Sequence, residues 1–182
     1  MLTLFIVLVL AYSFYTGYRR GLALQAIRLV GYIITFIFST RMYKPLSHVI
    51  EMIVPFPAIQ PDSQLALYDA AALLRIDEAF YRVLTFMLIG FIGWLVTNFL
   101  SMFFTRLSFY TLFDRVNHIG GGIINVFISF VLIFLVLFML SLIPIEFIQQ
   151  QFVNNPLAYA IVEKTPFLSE FAQTMWLSVN PF

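Results

Sequence analysis

The chain has no cysteine, only two histidines, and Lys, Arg, Asp and Glu together make up just 10% of its 182 residues. Without cysteine there can be no disulfide, no thiolate metal site and no cysteine nucleophile. His48 and His118 lie in different segments and complete neither a His-x-x-x-His nor a Glu-x-x-His pair, so no helical metal site is spelled out. Gly120-Gly121-Gly122 has no Lys-Ser/Thr after it and is not a phosphate loop. No acid–base pair stands at a catalytic spacing, so the sequence points away from an enzyme and calls for no cofactor or metal. A net charge of +1 offers no basic field for nucleic acid. Soluble domains are about 25% charged. With 62% hydrophobic residues and a mean hydropathy of +0.95, this chain has the lipid bilayer as its natural solvent.

What is present is long apolar runs. A helical span needs roughly 17–25 mostly apolar residues, and four segments qualify: 2–18, 22–40, 83–105 and 122–143. Of the ten basic and nine acidic residues in the chain, only Arg28 falls inside them. The first run lacks a preceding basic cluster and is followed by Arg19 and Arg20, so it is expected to remain as a span rather than to be cleaved as a signal. The expected fold is a single all-α membrane domain over residues 1–182. Its four transmembrane helices form two antiparallel hairpins, one turning near 17–21 and the other through 106–121.

Residues 41–82 are too polar to span and too apolar to be a free loop. Pro45 suits the first turn of a helix, which is expected over 45–54 with Leu46, Val49, Ile50 and Ile53 on one face and Ser47 and Glu51 on the other. Asp62 or Ser63 can cap a second helix over 63–74. Pro144 ends the last span, and Asn155-Pro156 and Thr165-Pro166 read as N-cap plus first-turn proline. A final amphipathic helix is expected over 156–179, carrying Phe167, Leu168, Phe171, Met175 and Trp176. These amphipathic helices serve either of two burials, in the headgroup region or against the bundle.

Positive residues mark cytoplasmic loops. The hairpin connectors hold Arg19, Arg20, Arg106 and Arg115, and the opposite side holds Arg41, Lys44, Arg75 and Arg82. The counts tie, but the connectors are the denser, which favours them as cytoplasmic and puts both termini outside.

The second span carries a polar stripe. Gly21, Gln25, Arg28, Tyr32, Thr35 and Ser39 recur at a spacing that keeps them on one helix face, and the other positions from Leu22 to Phe38 are apolar or glycine. The fourth span echoes the stripe with His118, Gly122, Asn125 and Ser129, and the third offers Gly90, Gly93, Thr97, Asn98 and Ser101. An arginine at a helix centre costs about 2.5–3.5 kcal/mol on insertion scales, so this face must meet protein or water. Small and polar residues are the ordinary glue of membrane helices, and Arg28, two turns into its span, has the reach to snorkel to the interface. The sharper reading is a face that closes an oligomer, binds other membrane proteins, or lines the path of a small transporter or channel subunit.

Two short motifs carry a family resemblance. Arg20-Gly21-Leu-Ala-Leu-Gln25 leading into Gly31, and Asp114-Arg115-Val followed by Gly122, together with the four-helix order and the exit through Pro144, resemble the colicin V production (CvpA) family of bacterial membrane proteins. The resemblance covers most of the chain and implies a multi-pass protein of the bacterial plasma membrane, linked to toxin production or export and to envelope maintenance. It marks Arg20, Gly21, Asp114, Arg115 and Gly122 as motif positions. Gln25 departs from the Glu found in many members, and Asn125 from their Arg. Relatives that continue into an extracytoplasmic serine protease imply an outside C-terminus.

Arg28 gives the stripe its first test. If it pairs within the polar face, Arg28→Leu leaves buried acceptors unsatisfied at about 1–3 kcal/mol each. Arg28→Leu and Arg28→Lys should then both melt below wild type in detergent and yield less oligomer. A leucine variant at least as stable as wild type would make Arg28 an interface anchor only.

Overall fold

The computed structural model describes residues 2–57, 65–68, 75–104 and 114–177. Among them there are helices and no strand: α1 (Leu2–Arg20), α2 (Leu22–Glu51), α3 (Ile76–Ser101), α4 (Asp114–Ser141), α5 (Glu146–Asn154), α6 (Pro156–Lys164) and α7 (Leu168–Ala172), which runs into a π-helical turn, Gln173–Leu177. Four helical stretches are long and apolar enough to cross a membrane: Leu2–Arg20, Leu22–Glu51, Ile76–Phe104 and Arg115–Ser141. The all-α, four-span class is therefore observed. The chain divides into two compact units, one made of Met1–Thr3, Tyr43–Phe86 and Phe134–Phe182, the other of Leu4–Met42 and Met87–Ile133.

Helix ends depart from expectation where packing overrides local signals. The break expected before Pro45 is absent, and α2 continues to Glu51 with the proline inside it. The cost of the missing backbone donor is met by burial on both sides of it. Tyr43 is buried and its phenol donates to the Met175 carbonyl at 3.1 Å, while Ser47 is buried with its hydroxyl on the Lys44 carbonyl at 2.8 Å. The fourth span starts earlier than expected, at Asp114, because the helix runs straight through Gly120–Gly122. The helix expected over 63–74 falls largely outside the described residues.

The helix expected over 156–179 is interrupted at Thr165–Phe167, and α5, which precedes it, was not anticipated at all. Neither polar residue before a proline caps the helix that follows. Asn155 Nδ2 donates backward to the Gln151 carbonyl at 2.8 Å, and Thr165 Oγ1 donates to the Ile161 carbonyl at 2.6 Å. Both close the preceding helix, satisfying carbonyls its own ladder leaves open. Phe167 then turns the chain with φ 64, a left-handed conformation rare for a bulky residue.

The first unit has an aromatic core. Trp176 is 1% exposed and meets Phe86, Phe138 and Phe171 at ring-centroid distances of 5.2, 5.3 and 5.9 Å. Phe134 stacks on Phe138, and Tyr43 meets Phe86 edge-on. The tail helices bury Phe152, Ala158, Ile161, Val162 and Ala172, so they have an inward apolar face, but Phe147, Val153 and Phe167 on the same segment are exposed.

Gln149 ties this unit together. Its Nε2 donates to the carbonyls of Ser141 and Ile143 at 3.1 and 2.7 Å, and its Oε1 accepts the Ala66 backbone N–H at 2.9 Å. Next to it the Tyr68 and Ser141 hydroxyls are 2.9 Å apart, and burial pushes the Tyr68 phenol well above its ordinary pKa. Tyr68 is therefore a neutral hydrogen-bonding group at any physiological pH.

Trp176→Ala removes the largest buried side chain of this core and should cost about 3–5 kcal/mol. Thermal melting in detergent should show a clear fall, and Phe167→Ala, at an exposed position, should leave stability within about 0.5 kcal/mol of wild type.

Candidate functional site: the polar helix seams

The second unit buries small and polar residues in place of large apolar ones. Ser13, Gly17, Gly21, Gln25, Ser39, Thr97, Ser101, Gly121 and Gly122 are buried, and among the described residues only Ile6 and Leu24 join them from the large apolar residues. Outward it shows Val30, Ile34, Phe38, Ile92, Leu95 and Phe99. This inversion suits a helix bundle whose surroundings are hydrocarbon, where association comes from close backbone packing and interhelical hydrogen bonds.

One seam joins α1 to α4. A Cβ added at Gly121 would lie 2.6 Å from the Gly17 carbonyl oxygen and 2.6 Å from the Gly21 carbonyl carbon, so only glycine allows this approach. One turn on, Asn125 Nδ2 donates to the Ser13 carbonyl at 2.6 Å and to Thr16 Oγ1 at 2.9 Å. At the other side, His118 Nδ1 lies 2.6 Å from the Tyr18 carbonyl and its ring stacks on that of Tyr18 at 4.9 Å. Gly122 faces the Phe14 ring, where a Cβ would come within 2.6 Å.

Gly21 links the two seams. It ends α1 in the left-handed conformation, φ 80, with its N–H donating to the Gly17 carbonyl at 3.0 Å, which is the glycine cap expected after a helix. Asn117 from α4 then accepts the Leu22 N–H through Oδ1 at 2.9 Å and so satisfies one open donor at the start of α2. Its side chain also fills the space above Gly21, where a Cβ would lie 2.8 Å from Nδ2.

The other seam joins α2 to α3. Arg28 Nε donates to Ser101 Oγ at 3.2 Å, and that hydroxyl donates to the Asn98 carbonyl at 2.8 Å. Asn98 Nδ2 in turn donates to the Tyr32 hydroxyl at 3.2 Å and to the Trp94 carbonyl at 2.8 Å. Gly31 receives Thr97, and Gly93 receives Thr35, whose hydroxyl donates to the Gly31 carbonyl at 2.9 Å. Ser39 and Gln25 are fully buried, and among the described residues neither the Ser39 hydroxyl nor either amide atom of Gln25 has a hydrogen-bond partner.

The candidate residues thus fall on two seams. Arg28, Tyr32, Thr35 and Asn98 lie between α2 and α3, while Gly122 and Asn125 face α1. Gly21 is at the junction with Asn117, and Ser129 is half-buried on α4. Asn117, Ser13 and Thr16 carry essential parts of these contacts and were not singled out from sequence. The nearest signal was the Ser13-x-x-Thr16-Gly17 spacing, which sets two hydroxyls and a glycine along one face of α1. Gly90 meets nothing within 4 Å and belongs to neither seam. Among the described residues no group of His, Asp or Glu is placed to hold a metal ion.

The two kinds of glycine give a paired test. Gly121→Ala must push α1 and α4 apart and should destabilise by about 1–3 kcal/mol. Gly90→Ala fills open space and should be neutral or stabilising by up to about 1 kcal/mol through helix propensity. Detergent melting temperatures that fall equally for both would refute the close seam.

Similarity to known proteins agrees with this architecture. The chain is 25% identical over 178 residues to an uncharacterized transmembrane protein, YshB, of Bacillus subtilis, with 97% of each chain covered. No solved structure matches it. The model of the family described as colicin V production protein matches residues 2–166, nearly the whole chain, and the chain belongs to that family of membrane proteins.

Proposed function

We propose that this is a non-enzymatic protein of the bacterial plasma membrane, with both termini outside. In this reading it associates with copies of itself or with other membrane proteins in toxin production or export and envelope maintenance. The carrying observation is how the intramembrane polar groups are used. Arg28, Tyr32, Asn98 and Asn125 all bond to groups of the same chain, so they hold helices together and are not arrayed around a substrate. What is left facing outward is apolar, with Ile34 63% and Ile92 61% exposed, a surface suited to lipid and to the helices of neighbouring proteins. Family membership supports the link to toxin production, and the dense arginines at 19 and 20 support a cytoplasmic turn between α1 and α2.

One observation favours a second reading, a small transporter or channel subunit whose path is completed on oligomerisation and lined by α2. Gln25 is fully buried, and neither of its amide atoms has a partner among the described residues. A buried unpaired group costs about 1–3 kcal/mol, and a water or a group from another chain would remove that cost.

The absence of native cysteine makes both readings testable. Single Cys residues at Ile34 and Ile92 should crosslink to another copy or to a membrane partner in native membranes, and a strictly monomeric pattern without captured partner argues against association. Cys at Gln25, Tyr32 and Thr35 reports water. Protection of all three from water-soluble thiol reagents removes the transport path, and labelling that follows the α2 stripe supports it.

A further inference from the structure

The last turns of α2 and the first turns of α3 enclose a cleft of about 250 Å³ lined by Lys44, Ser47, His48, Glu51, Asp77, Glu78, Tyr81 and Arg82, all in the first unit. Among the described residues no apolar aliphatic side chain lines it, in a chain where such residues predominate. Ser47 and Tyr81 are its buried floor, and their hydroxyls are already engaged with the carbonyls of Lys44 and Val54. The charges are its rim.

Those charges pair along their own helices and not across the gap. Arg82 and Arg75 bond to Glu78 within α3 or beside its start, and His48 lies 3.7 Å from Glu51 within α2. Among the described residues no ion pair bridges the two walls, and neither Lys44 on α2 nor Asp77 on α3 has an ion-pair partner. The cleft therefore presents on one wall an ammonium that lies over the Tyr43 ring at 6.0 Å, and on the other a carboxylate whose Oδ1 accepts the Glu78 N–H at 2.8 Å, neither with an ion-pair partner among the described residues. A ligand carrying an anion and a cation a few bonds apart would complete both.

The setting decides which such ligand. Lys44, Ser47, His48 and Glu51 form one stripe of α2, just beyond its apolar run, and Leu46 and Val49 form the adjoining stripe, 41% and 45% exposed, with Ile53 in the turn after it 70% exposed. A charged cleft flanked on the same helix by an exposed apolar stripe matches a lipid, headgroup in the cleft and acyl chain along the stripe. We propose that this cleft binds the zwitterionic headgroup of phosphatidylethanolamine, with its phosphate at Lys44 and its ammonium at Asp77. The primary ammonium matters because it can donate hydrogen bonds to the carboxylate, which a quaternary ammonium cannot do.

The test uses the full chain in a mild detergent with short-chain lipids added singly, their affinities read from thermal shifts. Phosphatidylethanolamine should bind about tenfold more tightly than phosphatidylcholine or phosphatidylglycerol, the worth of one charge-assisted hydrogen bond. Lys44→Gln and Asp77→Asn, both at exposed positions, should each weaken that binding about tenfold while leaving the lipid-free melting temperature in place. Soluble glycerophosphoethanolamine separates the sources of the headgroup. Weaker binding than the lipid places the acyl chains on the α2 stripe, and equal binding overturns the lipid assignment. Equal affinity for the three lipids, or affinity unchanged in both variants, overturns the site.

Discussion

A polar group inside a bilayer has no water to turn to, so leaving it without a partner in protein costs free energy. That constraint organises the second unit. Its helices cannot gain by burying leucine against leucine, because lipid tails are as apolar as the side chains they would replace. What distinguishes one helix face from another is therefore how closely a neighbour's backbone can approach and which polar groups it must satisfy. Gly17 and Gly121 provide the first, and Asn125 with Ser13 and Thr16, or Asn98 with Tyr32, provide the second. Asn117 serves both ends at once, seated over Gly21 and accepting the Leu22 N–H.

The first unit is built by a different rule. Its core is made of Trp176, Phe134, Phe138, Phe86 and Tyr43, ring against ring, and one amide, Gln149, gathers two carbonyls and a backbone N–H. Each ring gains from edge-on or stacked contact with its neighbours beyond the area it buries. The charged cleft belongs to the same unit, and so do the exposed Phe147 and Phe167. One chain thus carries two kinds of core, one of aromatic rings and one of small and polar residues.

This division explains which features were legible in the sequence. The four spans were, because exclusion of charge from a long apolar run is dictated by the solvent alone. Their ends were not: Pro45 reads as a helix start in isolation, and only the burial of Tyr43 and Ser47 carries α2 through it. The α5 helix escaped notice because Gln149, Gln150 and Gln151 hide its periodicity, although Gln149 is the buried one. The stripe of Gln25, Arg28, Tyr32 and Thr35 was visible from spacing, since spacing defines a face. It could not name the neighbour, so α3 as the partner of that face, and Ser13, Thr16 and Asn117 elsewhere, came only with the fold.

Arg28 shows how the constraint is met in the hardest case. It is the single charge within the apolar runs, and the described residues provide no carboxylate for it; its bond is to a neutral hydroxyl, Ser101. Ser101, however, is the last α-helical residue of α3, which runs on as a 3₁₀ turn to Phe104. The final carbonyls of a helix lack intrahelical donors and carry the equivalent of about half a negative charge. A guanidinium brought to that end, early in α2, faces a fixed partial charge of the right sign without requiring a buried acid. The same position lets its long side chain reach towards the interface at the start of α2. Tying helix packing to a charge at a helix end also makes the fit directional. Lysine keeps the charge but not the planar donor that meets Ser101, and leucine keeps neither, so the two substitutions separate the electrostatic part of the seam from its hydrogen bond.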